Sequence, residues 1–234
     1  MLLRSPHNTR LTDFALQCKV NHMEPHWAAE HLQVIRTLME RSALYRRALA
    51  PIMLVTGTLG LTAAGLGAVM RIDSPRGFIS YWLALSLLPL IGAFLLVRRQ
   101  ALKDAEPFWS PPTRRVAQAL LPPFAAGFAI GAILCFHLSS VEPSVANALA
   151  MLWLPLGWIV LYGCAIHAAG FFMPRGIRLF GWAFVLGGCG LFAFGIPDLP
   201  RHIYAHGLMG GFFGLLHLAY GIYLRFTETS NEGL

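Results

Sequence analysis

The chain has 234 residues, of which 56% are hydrophobic and 12% are charged, and its formal net charge is +7. A water-soluble domain of this length has no core large enough to bury so much apolar surface, so the composition excludes an ordinary soluble protein and indicates a membrane protein. A nucleic-acid-binding protein would also be basic. The positions of the basic residues, given below, favour attraction to lipid headgroups instead and predict no nucleic-acid partner.

The first predicted unit is residues 1–47, a polar and charged segment that we expect to be helical and to lie in the cytoplasm or at the membrane interface. Pro25 divides it into a short predicted helix, residues 12–23, and a longer one, residues 26–47, whose first turn the proline suits. Apolar residues recur in the longer helix every three to four positions, which gives it one apolar face. The segment lacks the apolar core of a secretory signal peptide.

A cluster of metal-ligating residue types lies in this first segment, where Cys18, His22 and His26 are spaced by four residues. On a continuous helix these three residues share one face, and with Glu30 or His31 they could hold a zinc ion. The candidate ligands are Cys18, His22, His26 and His31. Pro25 interrupts such a helix, and the segment has no paired Cys-x-x-Cys or His-Glu-x-x-His motif, so an exposed polar helix is the favoured interpretation.

Six long apolar stretches follow, each near the roughly 20 residues that a helix needs to cross the hydrocarbon core of a bilayer. Aspartate and glutamate are absent from all six. The predicted spans are residues 49–70, 78–97, 116–138, 145–172, 179–196 and 203–226. The predicted fold class is therefore an all-α membrane protein, with a six-helix transmembrane domain at residues 48–226 and a short cytoplasmic tail at residues 227–234.

The basic residues predict the orientation of the spans. Of the 18 Lys and Arg residues, 15 lie in the amino-terminal segment, in the connection 98–115, in the turn 175–178 or at Arg225, and the others lie in alternate loops. Because basic loops stay in the cytoplasm, both termini are expected there. The opposite loops, 72–77, 139–144 and 197–202, are only about six residues long, so we expect the spans to pair as three tight hairpins.

Glycines recur within the third and sixth spans at a spacing that suits close helix packing. Small residues let two helix backbones approach where lipid provides no hydrophobic drive for association. The candidate packing residues are Gly127, Gly131, Gly207, Gly210, Gly211 and Gly214. The favoured interpretation is packing inside one bundle, and the alternative is a face that binds a second copy of the chain.

Four histidines are the best candidates for chemistry at membrane depth, because carboxylates are absent there. They are His137, His167, His206 and His217. His206 and His217 are 11 residues apart, which puts them on nearly the same face of the sixth span. We expect His206 at the level of His137, and His217 closer in depth to His167. Facing imidazoles can ligate haem iron or a transition metal, but hydrogen bonds to neighbouring helices are the favoured interpretation.

Two stretches carry a resemblance to known proteins: residues 35–42 (Ile-Arg-Thr-Leu-Met-Glu-Arg-Ser), which lead into the glycine-rich first span, and residues 213–217 (Phe-Gly-Leu-Leu-His) with 220–222 (Tyr-Gly-Ile) in the last. With the order of the elements, they resemble an uncharacterised group of bacterial multi-spanning inner-membrane proteins. The resemblance implies a bacterial inner-membrane location. It implies no catalytic residue, because the group has no established activity.

The sequence therefore predicts an integral inner-membrane protein that acts as a non-enzymatic structural, assembly or regulatory component. Its expected partners are the lipid bilayer and either another membrane protein or a second copy of the chain. Two alternatives stay open. One is a histidine-dependent subunit that binds haem or a transition metal, and the other is a passive carrier or channel for a neutral solute. No catalytic residue is predicted.

Overall fold

In the computed structural model, residues 48–105, 107–137, 145–194 and 200–231 are described, and all regular secondary structure among them is helical. The helices are α1 (Ala48–Val69), α2 (Pro75–Lys103), α3 (Pro111–His137), α4 (Val145–Ala169), α5 (Arg175–Phe194) and α6 (Arg201–Met209). Helix α6 runs on through a π-helical segment, Gly210–Leu216, into α7 (His217–Asn231), and these three parts together are called the last helix below. All of them belong to the unit Leu44–Leu234, whereas the unit Met1–Ala43 lies outside the described residues.

In the described part of the chain, six helices are long and apolar enough to cross a membrane: α1 to α5 and the last helix. The prediction of six helices with the length and hydropathy of membrane spans is therefore confirmed. Helix α2, with 29 residues, is longer than its predicted span. A helix of that length measures roughly 44 Å, more than the about 30 Å of a hydrocarbon core.

The start and end of α2 follow from local side-chain and backbone chemistry. The Ser74 hydroxyl accepts a hydrogen bond from the Gly77 amide at 3.2 Å, and Pro75 occupies the first turn, where no partner for its nitrogen is needed. At the other end, the Asp104 amide donates to the Gln100 carbonyl at 3.0 Å, and Ala105 has a left-handed φ of 51°. That conformation ends the helix and turns the chain towards α3.

Helix α4 and the last helix contribute to both main buried clusters. One cluster joins them to α1 and α5, with Leu49, Leu156, Ile159, Phe184 and Leu208 among its members. The other joins them to α1 and α2, with Ala63, Phe78, Trp82, Met151 and Met209 among its members. Helix α4 packs most extensively against α5 and next against α3.

The outside of the bundle is strongly apolar. Leu66, Phe136 and Leu186 are among the large hydrophobic side chains there that are more than half exposed. A soluble protein rarely exposes a continuous apolar surface of more than a few hundred Å², whereas a bilayer solvates such a surface at no cost. The six apolar helices and this outer surface together indicate a multi-pass membrane protein.

Helix α1 and the last helix meet along a line of glycines that we call the glycine seam: Gly57, Gly60, Gly67, Gly210, Gly214 and Gly221. A Cβ added at Gly57 would lie 2.6 Å from the Leu218 amide nitrogen, and one added at Gly214 would lie 2.7 Å from the Leu61 amide nitrogen. Residue numbers rise along α1 as they fall along the last helix, so the two helices are antiparallel and almost in backbone contact.

Candidate functional site

A polar contact inside the bundle joins His217 of the last helix to Tyr162 of α4. His217 is fully buried, and the Tyr162 hydroxyl lies 2.6 Å from its Nε2. The other ring nitrogen, Nδ1, lies 3.0 Å from the Phe212 carbonyl oxygen. Because a carbonyl only accepts, Nδ1 carries the proton, and in a neutral ring Nε2 then accepts from the tyrosine. We call His217, Tyr162 and the Phe212 carbonyl the His217 cluster.

The His217 cluster is coupled to the irregular part of the last helix. His217 is the first residue after the π-helical segment, and its side chain reaches back five residues to Phe212, which lies inside that segment. Single π-helical turns are uncommon and are frequent at functional positions. The side-chain hydrogen bond therefore fixes the backbone at the widened turn.

Aromatic rings enclose the His217 cluster and come from several helices. The His217 ring has its centroid 5.1 Å from that of Phe180 and 5.4 Å from that of Phe184, both on α5. Phe124 of α3 stacks on Tyr162 with a centroid separation of 5.7 Å. The cluster thus joins α3, α4, α5 and the last helix through one buried hydrogen-bonded pair.

A second buried histidine, His206, joins the last helix to α2 and to the turn before it. The indole Nε1–H of Trp82 donates to His206 Nδ1 at 3.2 Å. Because that nitrogen accepts, Nε2 carries the proton and donates to the Ile72 carbonyl at 3.3 Å. We call His206, Trp82 and the Ile72 carbonyl the His206 cluster.

The backbone of α1 closes the third side of the His206 cluster. A Cβ at Gly67 would collide with the His206 ring, so glycine is needed for the ring to occupy this position. Phe78 lies edge-on to the same ring with a centroid distance of 5.0 Å. Tyr81 also contacts it, while its own hydroxyl donates to the Ala63 carbonyl at 2.7 Å. The His206 cluster thus joins α1, α2 and the last helix.

The structure places the other two candidate membrane histidines differently. His167 is half-buried near the end of α4, where Nδ1 donates to the Arg178 carbonyl at 3.4 Å and the ring lies edge-on to Trp182 of α5. His137 is the last residue of α3, and it is exposed. His206 and His217 are bonded to Trp82 and Tyr162, rather than to His137 and His167.

The predicted metal-binding role of these residues stays a prediction. A metal ion at His206 or His217 would have to displace a hydrogen bond that the ring already makes. Among the described residues, no group of three or more His, Cys, Asp or Glu side chains is arranged to hold a metal ion. The other predicted cluster, Cys18, His22, His26 and His31, lies outside the described residues.

The six candidate packing glycines divide into two groups. Gly127 and Gly131 of α3 lie against Trp158, Gly210 lies against Ala64, and Gly214 lies against Leu61. Gly207 and Gly211 are different, because a Cβ added at either position would meet nothing within 4 Å. Four of the six therefore pack inside the bundle, and two form an open surface.

Sequence reasoning missed the partners of the two buried histidines and most of the glycine seam. Tyr162 and Trp82 could have been found from one signal, since each is a polar aromatic residue inside an apolar span and needs a hydrogen-bond partner there. Gly163 of α4 and Gly181 of α5 were also missed, although they lie at a close contact between the two helices. A Cβ added at either glycine would lie within 2.9 Å of backbone atoms of the other helix.

Comparison of the chain with models of protein families, with curated proteins and with solved structures gives no match.

Proposed function

We propose that the protein is a non-enzymatic component of the bacterial inner membrane that binds a transmembrane helix of another protein, or of a second copy, against its last helix. The observation that carries this proposal is the open glycine surface at Gly207 and Gly211. Both are exposed, and neither meets another atom where a side chain would begin. Glycines four residues apart on one helix face let a second helix approach closely in lipid.

A third glycine widens this surface. Gly65 of α1 is exposed and also has nothing within 4 Å of an added Cβ. It follows Ala64, which contacts Gly210, and Gly211 follows Gly210. Because the two helices are antiparallel, the residue that follows a contact residue on either helix lies on the same side of the helix pair. Gly65, Gly207 and Gly211 therefore form one lipid-facing groove, called the glycine groove below.

The two histidine clusters support a non-enzymatic role. Both ring nitrogens of His206 bond to groups outside the last helix. One ring nitrogen of His217 bonds to Tyr162 of α4, and the other bonds to Phe212 of the last helix itself. Such hydrogen bonds stabilise a bundle in which lipid gives no hydrophobic drive for helix association. We assign His206 and His217 to the joining of helices.

The proposed orientation has both termini in the cytoplasm and the spans paired as three hairpins. It is supported by the distribution of Lys and Arg, which concentrate in alternate connections. The contact between α3 and α4 agrees with one of these hairpins. The larger contact, between α4 and α5, joins two different hairpins, and in the proposed orientation the turn between these helices is cytoplasmic. The inner-membrane location follows from the resemblance described above.

The test is purification of the tagged full-length chain from native membranes in a mild detergent at its natural expression level. We expect a second membrane protein, or a second copy, to co-purify with the wild-type chain. The double variant Gly207→Leu, Gly211→Leu fills the glycine groove and should lose that partner while keeping its own fold, because both positions are open.

The control is the double variant Ala125→Leu, Ala129→Leu, which places leucines at two exposed small residues four positions apart on α3. It should retain the partner. A wild-type chain that purifies alone as a monomer, or equal loss of the partner in both variants, contradicts the proposed function.

A further inference from the structure

A basic cleft lies at the start of α3, away from the two histidine clusters. It has a volume of about 280 Å³ and is lined by Trp109, Pro111, Arg114, Arg115 and Gln118. The cleft is smaller than the sites that hold drug-sized ligands, which begin near 300 Å³. Its volume suits a small polar group such as a phosphate with its neighbouring glycerol.

The charge in the cleft is not neutralised by the described part of the chain. Arg114 and Arg115 are both exposed, and neither forms an ion pair with a described carboxylate. The lining includes no acidic side chain, and Asp104, between α2 and α3, accepts a hydrogen bond from Gln100 at 3.0 Å. Two adjacent guanidinium groups offer planar sets of donors that match phosphate oxygens.

Three aromatic residues, Phe94, Phe108 and Trp109, lie beside the cleft at the ends of α2 and α3, and we call them the aromatic platform. Trp109 is 61% exposed and stacks on Phe108 with a centroid separation of 6.2 Å. Phe108 in turn lies edge-on to Phe94 of α2 at 5.2 Å. An exposed tryptophan at the end of apolar spans is typical of the headgroup layer, where its ring contacts the glycerol and ester region of lipids.

We propose that this cleft binds the phosphate headgroup of an anionic phospholipid. Arg114 and Arg115 donate to the phosphate oxygens, Gln118 lies one helical turn beyond Arg114, and Trp109 covers the glycerol. Basic pockets beside membrane helices bind anionic headgroups through this combination of charge and interfacial position. A lipid, rather than free phosphate, is the occupant, because the platform beside the two arginines is aromatic and lies at the end of two apolar spans. The proposal depends on the membrane crossing of α2 and α3 and not on the glycine groove.

The experiment measures lipid retained by the purified full-length chain after equilibration in non-ionic detergent with equal amounts of phosphatidylglycerol and phosphatidylcholine. Native mass spectrometry counts the two lipids on each protein molecule. We expect the wild-type chain to retain phosphatidylglycerol preferentially. In Arg114→Gln, Arg115→Gln that preference should fall by roughly tenfold or more, because two headgroup-binding charges are lost.

The control variant is Arg71→Gln, Arg76→Gln, which removes two arginines at the other end of α2. It should keep the wild-type preference. Equal retention of both lipids by the wild-type chain, or an equal fall in both double variants, overturns the proposal. Displacement of phosphatidylglycerol by millimolar inorganic phosphate at constant ionic strength would overturn the choice of a lipid as occupant. Because the readout is lipid, its failure leaves the result of the partner purification unaffected.

Discussion

The last helix holds two buried histidines in opposite tautomers. His206 accepts at Nδ1 from an indole that can only donate, and His217 donates at Nδ1 to a carbonyl that can only accept. Water is scarce at membrane depth, so a ring nitrogen without a partner there would carry its full desolvation cost. Each ring therefore takes the neutral form that its neighbours require.

The two tautomers can be observed directly. In the full-length protein with ¹⁵N-labelled histidine, we expect one buried ring protonated at Nδ1 and another protonated at Nε2. Trp82→Phe should alter only the His206 signal, and Tyr162→Phe should alter only the His217 signal, since each removes one donor. Two buried rings in the same tautomer, or a signal from both that responds to either variant, would contradict the assignment.

Sequence reasoning placed both histidines within the last span but did not find their partners. The spacing of His206 and His217 predicts their common face, and His217 was expected near the depth of His167 on the fourth span. Its partner does lie on α4, five residues earlier, at Tyr162. Helical periodicity predicts a common face only for a regular α-helix, and the π-helical segment lies between these two histidines. The side chain opposite each of them depends on which helices touch, and hydropathy does not record that.

Among the elements, the glycine seam decides which helices touch. The backbone of α1 lies so close to the last helix that side chains at the contact positions would have to be displaced. In lipid the hydrophobic effect does not drive helices together, and close backbone contact provides van der Waals attraction instead. The glycine-rich first span was evident in the sequence, but its partner was not, because the motif is shared by several spans.

Two glycine-to-alanine variants distinguish the seam from the groove. In Gly60→Ala the new methyl group would collide with the backbone carbonyl of Phe213, which has no freedom to rotate away. We expect a loss of about 1–3 kcal/mol in unfolding free energy, which corresponds to a fall of roughly 2–10 °C in the melting temperature in detergent.

Gly207→Ala is the matched control on the last helix, since its methyl group would meet nothing within 4 Å. Its melting temperature should stay within about 2 °C of the wild-type value. Similar losses in both variants would show that glycine is needed for some reason other than close backbone contact.

The π-helical segment is an element that the sequence did not predict. Residues 210–216, Gly-Gly-Phe-Phe-Gly-Leu-Leu, read equally well as part of an ordinary apolar helix. The extra width of the turn accompanies a side-chain hydrogen bond within the last helix, from His217 to Phe212. Local propensity contains no term for that contact, so only the number and rough bounds of the spans followed from the chain itself.

For the whole molecule, the orientation in the bilayer is open to a direct test. In a chain whose four cysteines are replaced by serine, Asp73→Cys and Lys103→Cys place single thiols at the two ends of α2. With both termini in the cytoplasm, an impermeant maleimide added to intact cells should label only Asp73→Cys, and Lys103→Cys should react after lysis. The reverse pattern would invert the proposed orientation.

The contact between α1 and the last helix also has a consequence for biosynthesis. The first span to leave the ribosome packs against the last one, so its glycine face stays uncovered while five further helices are made and inserted. His206, whose ring packs against Gly67, belongs to the last of these helices and is therefore made late. We therefore expect chains that stop before Arg201 to remain loosely assembled and to be removed by membrane proteases, however well their individual spans insert.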